Sequence, residues 1–218
     1  FEQAANYPIL FFAQRNKNKF KSLRLTTTEN IVDLYAERIA INLDKRSILK
    51  LPRQIFPLNA GKQELAVYFR INKNCNLLED YLKISEGFRI PIQYECTKGD
   101  EHIVKQYQFS RYSPILQGSF IKRTDREKTI STKSARYLNC LKKKIIIAED
   151  ALRLETTIDD SKSICQGGVY FGVLNDKESF TLEYVVALLN SKPLTFLYKT
   201  LFSGMHMGGG YLRFRTSF

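Results

Sequence analysis

The sequence predicts an α+β fold: a mixed, curved sheet with helices packed on it. Three observations carry this. The runs Lys144–Ala148 (KIIIA) and Gly168–Leu174 (GVYFGVL) have the length and the β-branched and aromatic content of buried strands. Phe180–Asn190 places apolar residues at helical spacing. Strands and helices follow one another without a regular βαβ rhythm, which argues against a doubly wound parallel sheet.

Taken in order, Tyr7–Gln14 and Leu23–Thr26 read as two strands joined by a turn around Asn16–Lys19. Thr28–Tyr35 begins with a capping threonine and early acids and predicts a helix. Ile41–Ala60, broken by Pro52 and Pro57, reads as irregular. Leu77–Leu82 suits a short helix or turn, and Gly87 a sharp turn. Ile103–Phe109 partly alternates and predicts a strand, as does Phe120–Ile121 after a loop containing Gly118. Thr124–Ser134 is polar except for Ile130 and predicts a mobile loop that orders on a ligand. In the clearest helix Thr181 is the cap and Glu183 lies in the first turn. Pro193 then opens a second helix through Leu201. Gly208–Gly210 leads into an alternating aromatic and basic strand ending at Arg215.

Because the sequence opens on Phe1 and not on a methionine, a piece of a longer polypeptide, or a trimmed form of one, is expected. No apolar run approaches the roughly 20 residues that span a bilayer, so a cytoplasmic, non-membrane protein is expected. Cys75, Cys96, Cys140 and Cys165 match neither a zinc site nor a compact disulfide framework and read as buried or half-buried thiols. The sequence carries no phosphate loop, dinucleotide fingerprint or nucleophile elbow, and His102 and His206 sit in no triad. The pairs Glu149/Asp150 and Asp159/Asp160 read as solvated loop acids. Asp160-Ser-Lys162 leaves a metal-dependent nuclease as one alternative.

The net charge is +12. Residues 89–144 hold 13 Lys/Arg against 5 Asp/Glu, whereas residues 145–218 hold 7 against 8. The basic stretch interleaves aromatics and small polar residues. Cations there can neutralise phosphates, and arginine can read base edges. The candidate DNA contacts are Arg89, Arg111, Tyr112, Lys122, Arg123, Arg126, Lys128, Lys133 and Arg136, with Arg213 and Arg215 second in rank. Lys142–Lys144 reads equally as a solvated strand end or a phosphate contact.

Five segments in order resemble the specificity region of TaqI-like adenine-N6 DNA methyltransferases, including type IIG enzymes that fuse restriction and modification. They are Ile84-Ser-Glu-Gly87, Pro114–Arg123, Lys144–Glu149, Asp159-Asp160 and Ala187–Tyr198 with its Leu-Leu-Asn-Ser-Lys block. The likeness runs from about Leu77 to Phe214. It implies a target-recognition-domain-like architecture that reads double-stranded DNA through a curved sheet and loops of residues 87–136, while helices of residues 180–202 pack. It also implies that residues 1–27 are the final hairpin of a methyltransferase domain, 28–76 a connector and 77–218 the recognition domain. The family's Asn-Pro-Pro-Tyr/Phe tetrapeptide and its cofactor motif are absent. Catalysis and S-adenosylmethionine are therefore expected in the parent enzyme, and this piece is expected to bind no cofactor. Its partners are expected to be duplex DNA and the catalytic domain of the same polypeptide. Two further alternatives are a recognition half of a type I specificity subunit and a protein-binding domain with an incidental basic face.

Overall fold

The computed structural model describes residues 22–25, 41–52, 55–57, 60–175, 180–202 and 211–215. The expected strand Tyr7–Gln14, helix Thr28–Tyr35, His206 and Gly208–Gly210 lie outside them. The chain divides into two compact units, one of residues 1–74, 196–210 and 218, the other of 75–195 and 211–217. Among the described residues no helix is long and apolar enough to cross a membrane.

In the first unit β1 (Ser22–Leu25) pairs antiparallel with β2 (Ile41–Asp44). The stretch 41–60 is more regular than its prolines suggest. The Asp44 carboxylate accepts from Ser47 N at 2.9 Å and Ser47 Oγ at 2.7 Å, and this cap starts α1 (Lys45–Leu49) directly after the strand. Helix α2 (Lys62–Ile71) follows Gly61. Leu43, Ile48, Leu51, Ala60, Leu65 and Tyr68 form a core with Leu201 and Phe202.

The second unit contains two four-stranded sheets. Strands β3 (Leu82–Glu86), β7 (Lys144–Ala148), β9 (Thr156–Asp159) and β11 (Val169–Leu174) form an antiparallel sheet in the order β3-β11-β7-β9. Strands β4 (Glu95–Cys96), β5 (Glu101–Val104), β6 (Phe120–Ile121) and β10 (Ile164–Cys165) form the other, in the order β10-β5-β6-β4, with β10 parallel to β5. The predicted strand Ile103–Phe109 is therefore shorter and earlier, because Gln106–Gln108 is a 3₁₀ turn. Two short helices, α3 (Arg123–Thr129) and α4 (Ala135–Cys140), connect β6 to β7.

All five residues of β7 are buried, as its continuous apolar run predicts for a strand covered on both faces. Ile146 and Ala148 join Phe88, Ile103, Val104, Ile121, Ile164 and Phe171 in one core. Helix α5 (Leu182–Leu189) packs on β7 and β9, with Thr181 Oγ1 accepting from Tyr184 N at 3.2 Å at its start. At its end, buried Asn190 accepts from Thr156 N at 2.9 Å and donates to Thr156 O at 2.9 Å. The asparagine of the Leu-Leu-Asn-Ser block thus ties helix to sheet. Helix α6 (Lys192–Phe202) follows. The strand pair β8 (Asp150–Ala151) and β12 (Leu212–Arg213) ends the unit.

Gly87 does not make the expected sharp turn. It lies where β3 leaves the sheet, donating to Val169 O at 2.8 Å, and a Cβ there would stand 2.1 Å from Gln166 O. Close backbone packing requires the glycine. The cysteines are also more varied than expected, since Cys75 is exposed while Cys140 and Cys165 are buried.

Candidate nucleic-acid interface

The site is built outward from β6. Its two residues pair with β4 on one side and β5 on the other: Ile121 lies opposite Glu95 and Glu101, and Phe120 opposite Cys96 and His102. The chain leaves this strand at Lys122 and enters α3 at once, with Arg123 N donating to Asp100 Oδ2 at 2.9 Å. The stretch Thr124–Ser134, which the sequence predicts to be a mobile loop, is helical over its first half, within α3. Helical spacing turns Arg126 and Ile130 inward, both buried, and leaves Lys122, Arg123, Thr124, Glu127 and Lys128 outside.

Arg126 is the anchor of this helix and not a free contact. It is 5% exposed, donates to Glu101 from Nε at 2.9 Å and from Nη2 at 3.1 Å, and sits 5.3 Å over the Tyr137 ring. The bidentate hydrogen bond with Glu101 outweighs burial and raises the guanidinium pKa further. A buried, paired arginine cannot reach a duplex without breaking the pair. Lys128 stays exposed, pairs with Asp125 at 2.7 Å and lies 5.5 Å from the Tyr94 ring.

Arg136 is likewise engaged. Its Nε donates to Glu86 O at 2.9 Å, its Nη2 bonds Gly87 O, and its guanidinium lies 4.5 Å over Phe88. Arg213 donates to both Asp150 oxygens, at 2.9 and 3.1 Å, and Arg215 lies 3.5 Å from Glu149. The acids Glu149 and Asp150, read as solvated, therefore hold the C-terminal strand. Lys144 and Asp159 form a fully buried ion pair across β7 and β9, which corrects both the strand-end reading of one and the loop-acid reading of the other. Burial pushes the Asp159 carboxyl up. The Lys144 ammonium and the Ser161 and Ser163 hydroxyls more than offset this and leave it below the usual range.

Arg89, Lys122, Arg123 and Lys133 remain exposed and take part in no ion pair among the described residues. Arg111 is half-buried with its guanidinium 5.8 Å from the Tyr112 ring. Both belong to a loop that closes where Leu116 N donates to Gln108 O at 2.8 Å. Phe109 anchors it in the core, with Ile115 packed against that core. Gly118 lies beyond the neck, with open space on all but the Gln108 side. Among the described residues no three His, Cys, Asp or Glu side chains gather as a cation site.

The model of the TaqI-like C-terminal specificity domain matches residues 101–211, just over half of the chain. The chain belongs to this family. A TaqI-like specificity domain is the DNA-recognising module of a restriction–modification enzyme. No curated protein matches the chain.

The matched span of the specificity domain takes in the loop, α3, α4 and the central strands, and leaves Arg89 outside. Charge alone did not single out the exposed side chains beside the loop. Tyr107 is 74% exposed, and Leu152 and Tyr211 line a shallow groove with Gln106, Ser110 and Arg153. The sequence signal for Tyr107 is an aromatic flanked by polar residues, Gln106-Tyr107-Gln108, a pattern that the 3₁₀ turn there shares with an alternating strand.

Proposed function

We propose that this specificity domain reads double-stranded DNA in a sequence-specific manner for an adenine-N6 methyltransferase, including the type IIG form in which a nuclease is fused. The methyl donor, S-adenosylmethionine, and the target adenine are handled by a catalytic domain of the same polypeptide in the cytoplasm. This domain supplies binding and no catalytic group. The observation that carries the reading is the sorting of cations. Arg126, Lys144 and Arg213 are consumed by carboxylates, while Lys122, Arg123, Lys133 and Arg89 are left outside with none among the described residues. Unpaired surface cations are what phosphate neutralisation requires, and counterion release makes their contribution salt-dependent. The segment 120–136 then lies along the phosphates, and the loop 109–115 reaches the groove.

A salt titration of mixed-sequence duplex binding tests this. Four phosphate contacts predict a slope of log affinity against log salt near about −3.6, and Lys122→Ala or Arg123→Ala each reduces its magnitude by about 0.9. A slope near zero, or equal slopes in the variants, overturns the assignment.

A further inference from the structure

Residues 109–115 turn on a strained residue. Tyr112 has a φ of 60°, in the left-handed region that glycine or asparagine enters easily and a bulky side chain does not. The strain is held from several sides. Tyr112 N donates to Thr156 O at 3.3 Å, and Thr157 Oγ1 donates to Ser113 O at 2.7 Å, so the turn is tied to β9. Within it Ser110 N donates to Ser113 Oγ at 2.8 Å and Ser113 N to Ser110 O at 3.2 Å. Tyr112 nevertheless points outward, 61% exposed, with the Arg111 guanidinium beside its ring. Arg111 Nε is buried and meets no hydrogen-bond partner among the described residues. A turn needed only to reverse the chain would be relieved by glycine. A tyrosine held there at a conformational cost fixes where a ring projects.

We propose that Tyr112 is an aromatic wedge: on binding, its ring enters a base step of the duplex and unstacks it, while the Arg111 guanidinium stays beside the ring. The proposal rests on the DNA-reading function above. An inserted ring needs no base-specific hydrogen bond. It favours steps that unstack at low cost, and so adds readout through deformability at a position the cations do not touch. The pinned turn limits the ordering cost of insertion.

The test uses the duplex that the full chain selects from a random-sequence pool, with 2-aminopurine placed at each position in turn. Wild type is expected to raise the fluorescence at one step, and Tyr112→Phe to keep the rise. Tyr112→Asn, which tolerates the left-handed backbone, is expected to abolish it and to weaken binding roughly 10-fold. The salt slope should stay the same, because no phosphate contact is lost, and the thermal midpoint should not fall. Selected duplex bound by wild type without a rise at any position, or a rise that survives Tyr112→Asn, overturns the wedge alone. Failure of wild type to bind any duplex removes the reading beneath it, and the wedge with it.

Discussion

The buried pair Lys144–Asp159 makes a quantitative prediction. Both side chains are fully shielded from solvent, and Lys144 Nζ also donates to Ser163 O at 3.0 Å. Asp159→Ala leaves the ammonium buried with that one carbonyl. Lys144→Met leaves the carboxylate with Ser161 and Ser163. Removing one partner of a buried pair costs about 3–5 kcal/mol, whereas an exposed strand-end pair would cost about 1 kcal/mol or less. Replacing both together by apolar residues of similar size should be close to neutral, because the uncompensated charge is what destabilises. Urea unfolding is the assay, read as a shift in midpoint at unchanged slope. The double variant Lys144→Met/Asp159→Leu should recover most of the loss of either single variant. Single-variant costs below about 1 kcal/mol, or a double-variant loss equal to the sum of both, would refute the reasoning. The pH dependence has a definite sign. The Asp159 pKa is depressed in the fold, so its stabilisation is present above the ordinary carboxylate range and is lost as pH falls through the lower folded value.

Gly87→Ala should cost about 3 kcal/mol or more, since a Cβ would stand 2.1 Å from one backbone oxygen and 2.7 Å from another; near-wild-type urea unfolding would contradict this. Both His102 ring nitrogens are buried, and the ring packs 5.4 Å from Phe120. Burial lowers its pKa, against the pull of Asp159 and of the Leu116 backbone and with the help of Lys144, so the fold opposes protonation. Stability is then complete above the ordinary imidazole value of about 6.5 and is lost as pH falls from there toward the folded value. Thermal midpoints at pH 7.5 and 5.5 should show this loss, and His102→Phe should remove it. Arg126→Ala should destabilise the second unit by about 3 kcal/mol through the stranded Glu101, while Arg123→Ala should leave the thermal midpoint unchanged; the reverse ranking would refute the division between anchor and contact.

Elements set by their own apolar pattern were legible in the sequence. Strand β7, strand β11 and helix α5 with its Thr181 cap appear where periodicity places them. Short-range chemistry was harder to read. Asp44 capping onto Ser47 turns a proline-containing stretch into strand and helix, and Arg126 buried on Glu101 turns a polar segment into a helix. Both depend on where one side chain reaches, which composition does not encode. The same limit governs the site. A run of cations marks a region, but only the placement of Glu101, Asp125, Asp150 and Asp159 separates Lys122, Arg123 and Lys133 from the two arginines and two lysines that those acids hold. In the sequence Tyr112 is one aromatic among several in the basic stretch, and only its left-handed backbone conformation sets it apart.

Selection of bound duplexes from a random-sequence pool, by the full chain at low salt, tests sequence-specific reading most directly. The account predicts enrichment of one consensus, lost on combined Arg111→Ala and Tyr112→Asn substitution, with residual salt-dependent binding left in the variant. Duplexes bound without any consensus, at wild-type affinity, would contradict it.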